Sequence, residues 1–142
     1  MKKQINQVKL FQESFNGIVN ERPTLLSDRE YTLRYNLQQE ELDEYLEACR
    51  ENNMVEIADA IADQLFLILG TAISHGLHNV IEEVFDSVVG SNMSKLDDQG
   101  NPIYNEFGSF YYDEKKPIGK ILKSKNFYSP TEMIEKIISK EL

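Results

Sequence analysis

The stretch VEIADAIADQLFLILGTAIS, residues 55–74, constrains this chain more than any other. Ile57, Ala58, Ile61, Ala62, Leu65, Phe66, Leu69 and Ile73 cover about half of a helical wheel, and Ala60 and Leu67 fall on the remaining side near Glu56. A helix that is apolar nearly all round is expected to be buried. Its three charges, Glu56, Asp59 and Asp63, are all acidic, and no lysine or arginine stands among them. Carboxylates taken out of water without a partner are driven to protonate. The stretch therefore calls for a cation that is not a side chain, and a divalent metal is the simplest.

The segment before it supplies a second set of acids. A helix is predicted from about Arg29 to Arg50, with Ser27 or Asp28 as its cap and Glu30 in its first turn. On its wheel Glu40, Glu41, Glu44 and Glu47 share one side, and Leu42, Tyr45, Leu46 and Cys49 share the other. Alone, such an acidic stripe reads as an ordinary solvated face; the buried acids that follow change that reading. Asn52-Asn53 is a turn signal. An antiparallel hairpin turning there sets Glu44 level with Asp59, Glu40 with Asp63 and Glu47 with Glu56. Glu41 with Glu44, and Glu56 with Asp59, are i, i+3 pairs that each present two carboxylates on one helix face. Four carboxylates converging on one volume suit Mg²⁺ or Mn²⁺, with waters and phosphate oxygens completing the shell. The two histidines, His75 and His78, lie at or beyond the far end of the helix, which speaks against zinc.

The remaining sequence bounds the architecture. The chain has 142 residues, the length of about one domain, and 41% of them are hydrophobic, enough for a core. A short amphipathic helix is predicted at about 4–16, a third long one at about Asn79–Met93, and a last one with Pro130 in its first turn. Lys95–Ser129 holds Gly100, Pro102, Gly108, Pro117 and Gly119 and the aromatic cluster Phe107, Phe110, Tyr111 and Tyr112; extended pieces or a short hairpin are expected near residues 97–129. The expected fold is all-α, an antiparallel bundle of four to five helices forming a single domain over 1–142. The net charge of −9 disfavours nucleic-acid backbone as a partner. No uninterrupted apolar run reaches the ~18 residues of a membrane span, and the N-terminus lacks a secretory pattern. One cysteine, Cys49, rules out an internal disulfide framework and fits a reducing, cytoplasmic setting. A P-loop is absent, because no glycine directly precedes Lys95.

QEELDEYLEA followed by EIADAIADQLFLILGTAISHG resembles the MazG-like all-α nucleoside triphosphate pyrophosphohydrolases. Their signature is EExxE, a gap, then ExxD. Here it reads Glu40-Glu41-x-x-Glu44, eleven residues, then Glu56-x-x-Asp59, with a gap that is short for the family. VKLFQESF, VFDSVVGSNMSKLDDQGNPI, GKILKS and FYSPTEMIEKII extend the likeness over nearly the whole chain. They resemble the phosphoribosyl-ATP pyrophosphohydrolase-like branch; the wider superfamily includes dUTP-hydrolysing members. The branch often has His where Gln12 stands, and His shortly before SNMSK, where this chain has Val89-Gly90. Tyr104–Lys116 looks like an insertion.

The resemblance implies hydrolysis of a (deoxy)nucleoside triphosphate, dUTP or a non-standard dNTP, to the monophosphate and pyrophosphate. It implies Mg²⁺ on Glu41, Glu44, Glu56 and Asp59, and Glu40 as the residue that orients or deprotonates water. Asp63 would contact the sugar or brace a metal ligand, or is a buried acid satisfied by a neighbouring donor. Asn92 would reach the nucleobase and Lys95 a phosphate, with Lys120, Lys123 and Lys125 closing over the phosphates. The third long helix, with Val84, Phe85, Val88 and Val89, has apolar surface to spare for a partner subunit, and family members are dimers or tetramers, so a homodimer or homotetramer is expected. The alternative is a non-catalytic metal- or nucleotide-binding regulatory module.

Overall fold

The helices begin and end where local hydrogen bonding predicts. In the computed structural model, which describes residues 1–142, they are α1 (Lys2–Ser14), α2 (Asp28–Arg50), α3 (Met54–Ser74), α4 (Ile81–Met93) and α5 (Thr131–Ser139). The backbone N–H of Ser27 donates to Glu30 Oε2 at 2.7 Å, fastening the first turn of α2. Asn53 caps α3, its Oδ1 accepting from the Val55 and Glu56 amides. Pro130 stands just outside α5 as its N-cap, one place earlier than expected, because it has no N–H to give and its φ of −75° already suits the entry to the helix. The fold is all-α. Its one β-like pairing is an isolated antiparallel bridge, Tyr104 to Ile121, within the segment expected to be extended.

Two compact units make up the chain, residues 1–82 with 141–142, and residues 83–140. In the first, α3 is the central rod, packed against both α1 and α2. Ile5 and Val8 of α1 meet Leu69 and Ile73 of α3, with Val19, Phe66 and Ile81 against them. The end of α3 is closed by Gly76 at φ +68°, while Leu77 N–H returns to the Ala72 carbonyl at 2.8 Å. The chain after α1 folds over this end: the Asn20 amide donates to the Ser74 carbonyl at 2.6 Å and Thr24 N–H to the His75 carbonyl at 2.8 Å.

One expectation about burial is corrected. Helix α3 is not buried all round within the chain. Ala60, Leu69, Gly70, Ala72, Ile73 and Ser74 are buried, but Val55, Ile61, Leu65 and Ile68 are exposed. The other helices of the chain cover one side of α3 and leave its N-terminal two thirds open on the other. By length and composition alone α3 could also cross a membrane, with a mean hydropathy of 1.5 over its best 18 residues. Helix α2, in turn, lays its polar side against α3. Arg34, Gln38 and Glu41 are half-buried there, whereas Leu42, Tyr45 and Leu46 face outward. A wheel tells which residues share a face, not which neighbour that face meets.

In the second unit Asn105, fully buried, organises the irregular segment. Its amide nitrogen donates to the carbonyls of Asp113, Lys116 and Pro117, and its Oδ1 accepts from Asp113 N–H at 2.8 Å. Its own backbone donates to the Lys120 carbonyl and accepts from Gly119 N–H. Between these anchors Phe107, Phe110 and Tyr111 point to solvent.

Candidate functional site

The α2–α3 hairpin has the register expected from the turn at residues 52–53. Arg34 reaches the Leu67 carbonyl at 2.6 Å and Thr71 Oγ1 at 3.0 Å, and Gln64 lies level with Glu41, its amide 3.5 Å from the Glu41 carbonyl. This register brings acids from both helices around Glu41. Its carboxyl is held above the ordinary carboxylate range, first by burial and then by the negative charges of Glu44, Asp63, Glu40 and Asp59. Glu41 Oε2 is buried and has no hydrogen-bond partner. A buried anionic oxygen left unsatisfied costs free energy unless a cation or a proton takes it. The donor set, oxygen only and with no basic side chain in it, fits a hard divalent ion.

Of the expected ligands, then, the structure groups Glu41, Glu44 and Asp59, with Glu40 and Asp63 beside them. Glu56 stands at the first turn of α3, exposed, and is not among the charges that act on Glu41. Glu56, Asp59 and Asp63 are exposed rather than buried as the sequence suggested, and Glu44 is exposed as well. No three of these side chains close on one point in a geometry ready for a metal. Asn92 and Lys95 lie in the second unit, bonded to each other at 2.7 Å. In that unit Lys123 stacks on the Phe127 ring at 4.3 Å, Lys125 pairs with Asp98, and Lys120 is exposed.

A sequence profile described as phosphoribosyl-ATP pyrophosphohydrolase matches residues 8–92, more than half of the chain and all of the α2–α3 hairpin. The chain belongs to this family. Phosphoribosyl-ATP pyrophosphohydrolases are part of the MazG-like all-α superfamily. A protein of Acanthamoeba polyphaga mimivirus, itself described as uncharacterized, is 31% identical over 94 residues, which is 66% of this chain and 38% of that protein. The chain thus spans less than half the length of that relative. Sequence reasoning missed a second polar group, where α1, α2 and α3 meet: Gln12 of α1, Arg34 and Gln38 of α2, and Thr71 of α3. The available signal was Gly70-Thr71, a small and a polar residue interrupting the apolar run of α3.

The raised Glu41 pKa has a consequence for stability. The folded chain holds this proton more tightly than the unfolded one, so the charged carboxylate destabilises the metal-free fold at neutral pH. That penalty is full above the raised value, shrinks as pH falls through it, and is gone below the ordinary value of 4.5, where the carboxyl is neutral in both states. Glu41→Gln should therefore melt higher than the parent at pH 7 without Mg²⁺, and the gap should close on acidification. Differential scanning calorimetry from pH 7 to pH 4 reads this directly, and a less stable variant at pH 7 would contradict it.

Proposed function

We propose that the chain hydrolyses a (deoxy)nucleoside triphosphate between its α- and β-phosphates, with dUTP or a non-standard dNTP as the substrate and Mg²⁺ as the cofactor. Water adds to the α-phosphorus, the bond to the β-phosphate oxygen breaks, and the products are the monophosphate and pyrophosphate. The observation that carries this reading is the unsatisfied, buried Glu41 Oε2 amid carboxylates from two helices, in a chain of this family. Glu41, Glu44 and Asp59, joined by Glu56 one turn before Asp59, would hold Mg²⁺, which would supply charge neutralisation at the phosphates and polarise the phosphorus under attack. Glu40, one residue from Glu41, takes the proton of the attacking water. Asp63, one turn beyond Asp59 on α3, hydrogen-bonds the sugar or braces Asp59.

The test is pyrophosphate release from a panel of dNTPs with Mg²⁺ in H₂¹⁸O. Attack at the α-phosphorus puts the label in the monophosphate. No release from any nucleotide, with Mg²⁺ still binding, would leave a non-catalytic metal-binding module.

The reading includes a second copy of the chain over the open side of the hairpin. Leu42 and Leu46 of α2 and Val55, Ile61, Leu65 and Ile68 of α3 are all exposed, large apolar side chains that a partner surface would take out of water. Helix α4, where sequence reasoning placed the partner surface, exposes Phe85 and Val89 within its own unit. Sedimentation should give a multiple of the 16.4 kDa chain mass, reduced by Ile61→Glu. A parent that sediments as a monomer would refute this part.

A further inference from the structure

Helices α2 and α3 carry three cations: Arg29 is exposed, Arg50 pairs with Glu47 at 3.5 Å, and Arg34 sits in the seam between the helices. Arg34 has no carboxylate within ion-pair distance, in a chain with a net charge of −9. Burial alone pushes its guanidinium below the ordinary value. A half-buried, unpaired guanidinium costs free energy and is seldom retained without an anion to meet.

Its head is bonded to α3 alone. Nη2 donates to the Leu67 carbonyl at 2.6 Å and Nε to Thr71 Oγ1 at 3.0 Å. Thr71 is itself fixed, taking Gln38 Nε2 at 3.0 Å and donating to the Leu67 carbonyl at 2.9 Å. A guanidinium has five N–H groups; two are used, and the others find no acceptor in the chain.

Gly70 lets the head lie where it does: a Cβ there would come within 2.6 Å of both Arg34 Nη2 and Gln12 Oε1. Gln12 is 6% exposed, and its amide cannot flip, because Nε2 donates to the Ile18 carbonyl at 2.6 Å and to Ser74 Oγ at 3.2 Å. Its Oε1 is thereby left as a buried acceptor without a partner, on the same spot as the Arg34 head. The surroundings thus favour the positive charge through neutral oxygens and leave it uncancelled.

Arg34 and Glu41 are seven residues apart and so share one stripe of α2, about 10 Å apart along the axis. That separation is within the joint reach of an arginine side chain and an extended triphosphate. We infer that Arg34 is an oxyanion seat at the far end of the carboxylate stripe, receiving the terminal phosphates of the nucleotide and hence the pyrophosphate half of the products. The inference rests on the proposed hydrolysis for its substrate. A planar fork of N–H donors matches phosphate oxygens, and the site supplies no other cation from these two helices to a polyanion.

The experiment uses the full chain with Mg²⁺ and measures binding of inorganic pyrophosphate and of dUMP by calorimetry, beside turnover of the best dNTP. Arg34→Gln should weaken pyrophosphate binding and raise KM roughly tenfold or more, with dUMP binding unchanged within about twofold. Gly70→Ala, which keeps the charge but displaces the head, should do the same to a lesser degree. Arg34→Lys should restore part of the loss, and it serves if the Gln variant does not fold. Pyrophosphate that fails to bind the parent, or binds Arg34→Gln equally well, overturns the seat. So does an equal loss of pyrophosphate and dUMP, which would mark a nucleobase contact or a purely structural arginine. A parent that binds pyrophosphate through Arg34 yet hydrolyses no nucleotide keeps the seat and removes the proposed hydrolysis.

Discussion

Glu44→Gln and Asp59→Asn are each expected to lower pyrophosphate release at least about a hundredfold while leaving the metal-free melting temperature within a degree or two of the parent. Both side chains are exposed, so the neutral amide removes no packing. On the proposed reading it removes one anionic metal ligand on each helix, and so the Mg²⁺ charge that would let an acidic site accept a triphosphate. The parent should gain thermal stability from Mg²⁺. At a hundredfold excess over Kd the gain is roughly 2.7 kcal/mol, or about 6–10 °C for a chain of this size. Each variant should lose most of that gain. Melting curves with and without Mg²⁺ beside a pyrophosphate assay separate the outcomes, and a variant with full turnover would remove its residue from the metal set.

Gly76→Ala is expected to be the most damaging of the glycine substitutions. Residue 76 has φ +68°, and a Cβ there would stand 1.9 Å from the Arg22 carbonyl oxygen. Backbone, not a flexible side chain, would have to yield. The segment that yields is the one bonded to the end of α3 through Asn20 and Thr24, and it leads into α2. A loss of about 2–4 kcal/mol follows, a fall in melting temperature of roughly 6–15 °C. Gly100→Ala is the control, with φ +79° and nothing within 4 Å, and should cost only the backbone term, about 1 kcal/mol. Equal effects at the two positions would mean that the contact with residue 22 is not rigid.

The helix ends and the level pairing of α2 with α3 were legible because caps, turn residues and spacing act over a few positions. Ser27 with Glu30, Asn53 and Gly76 each mark a boundary by a bond or a dihedral that the residue type alone favours. The inward side of α2 was legible only through the acids of α3. Leu42, Tyr45 and Leu46 make the better apolar face, yet Arg34, Gln38 and Glu41 meet α3. The usual rule of amphipathic packing fails where polar groups are gathered between helices and the oily side is left for another surface. The Gln12–Arg34 group was hidden for a related reason. Its members are far apart in sequence, and only the small Gly70 between them hinted that two side chains cross there. Asn105 gave no signal at all, since nothing local distinguishes an asparagine that serves its own turn from one that serves three.

That asparagine makes the stretch around it behave like a drawstring bag. One knot gathers the neck, and the cloth beyond the knot bears no load. Phe110, 96% exposed, can be exchanged for almost anything without loosening the closure. Losing the knot, by contrast, would free the whole stretch at once. Lineages are thus at liberty to rewrite the tip while keeping its anchorage, and variation here says little about the α2–α3 hairpin.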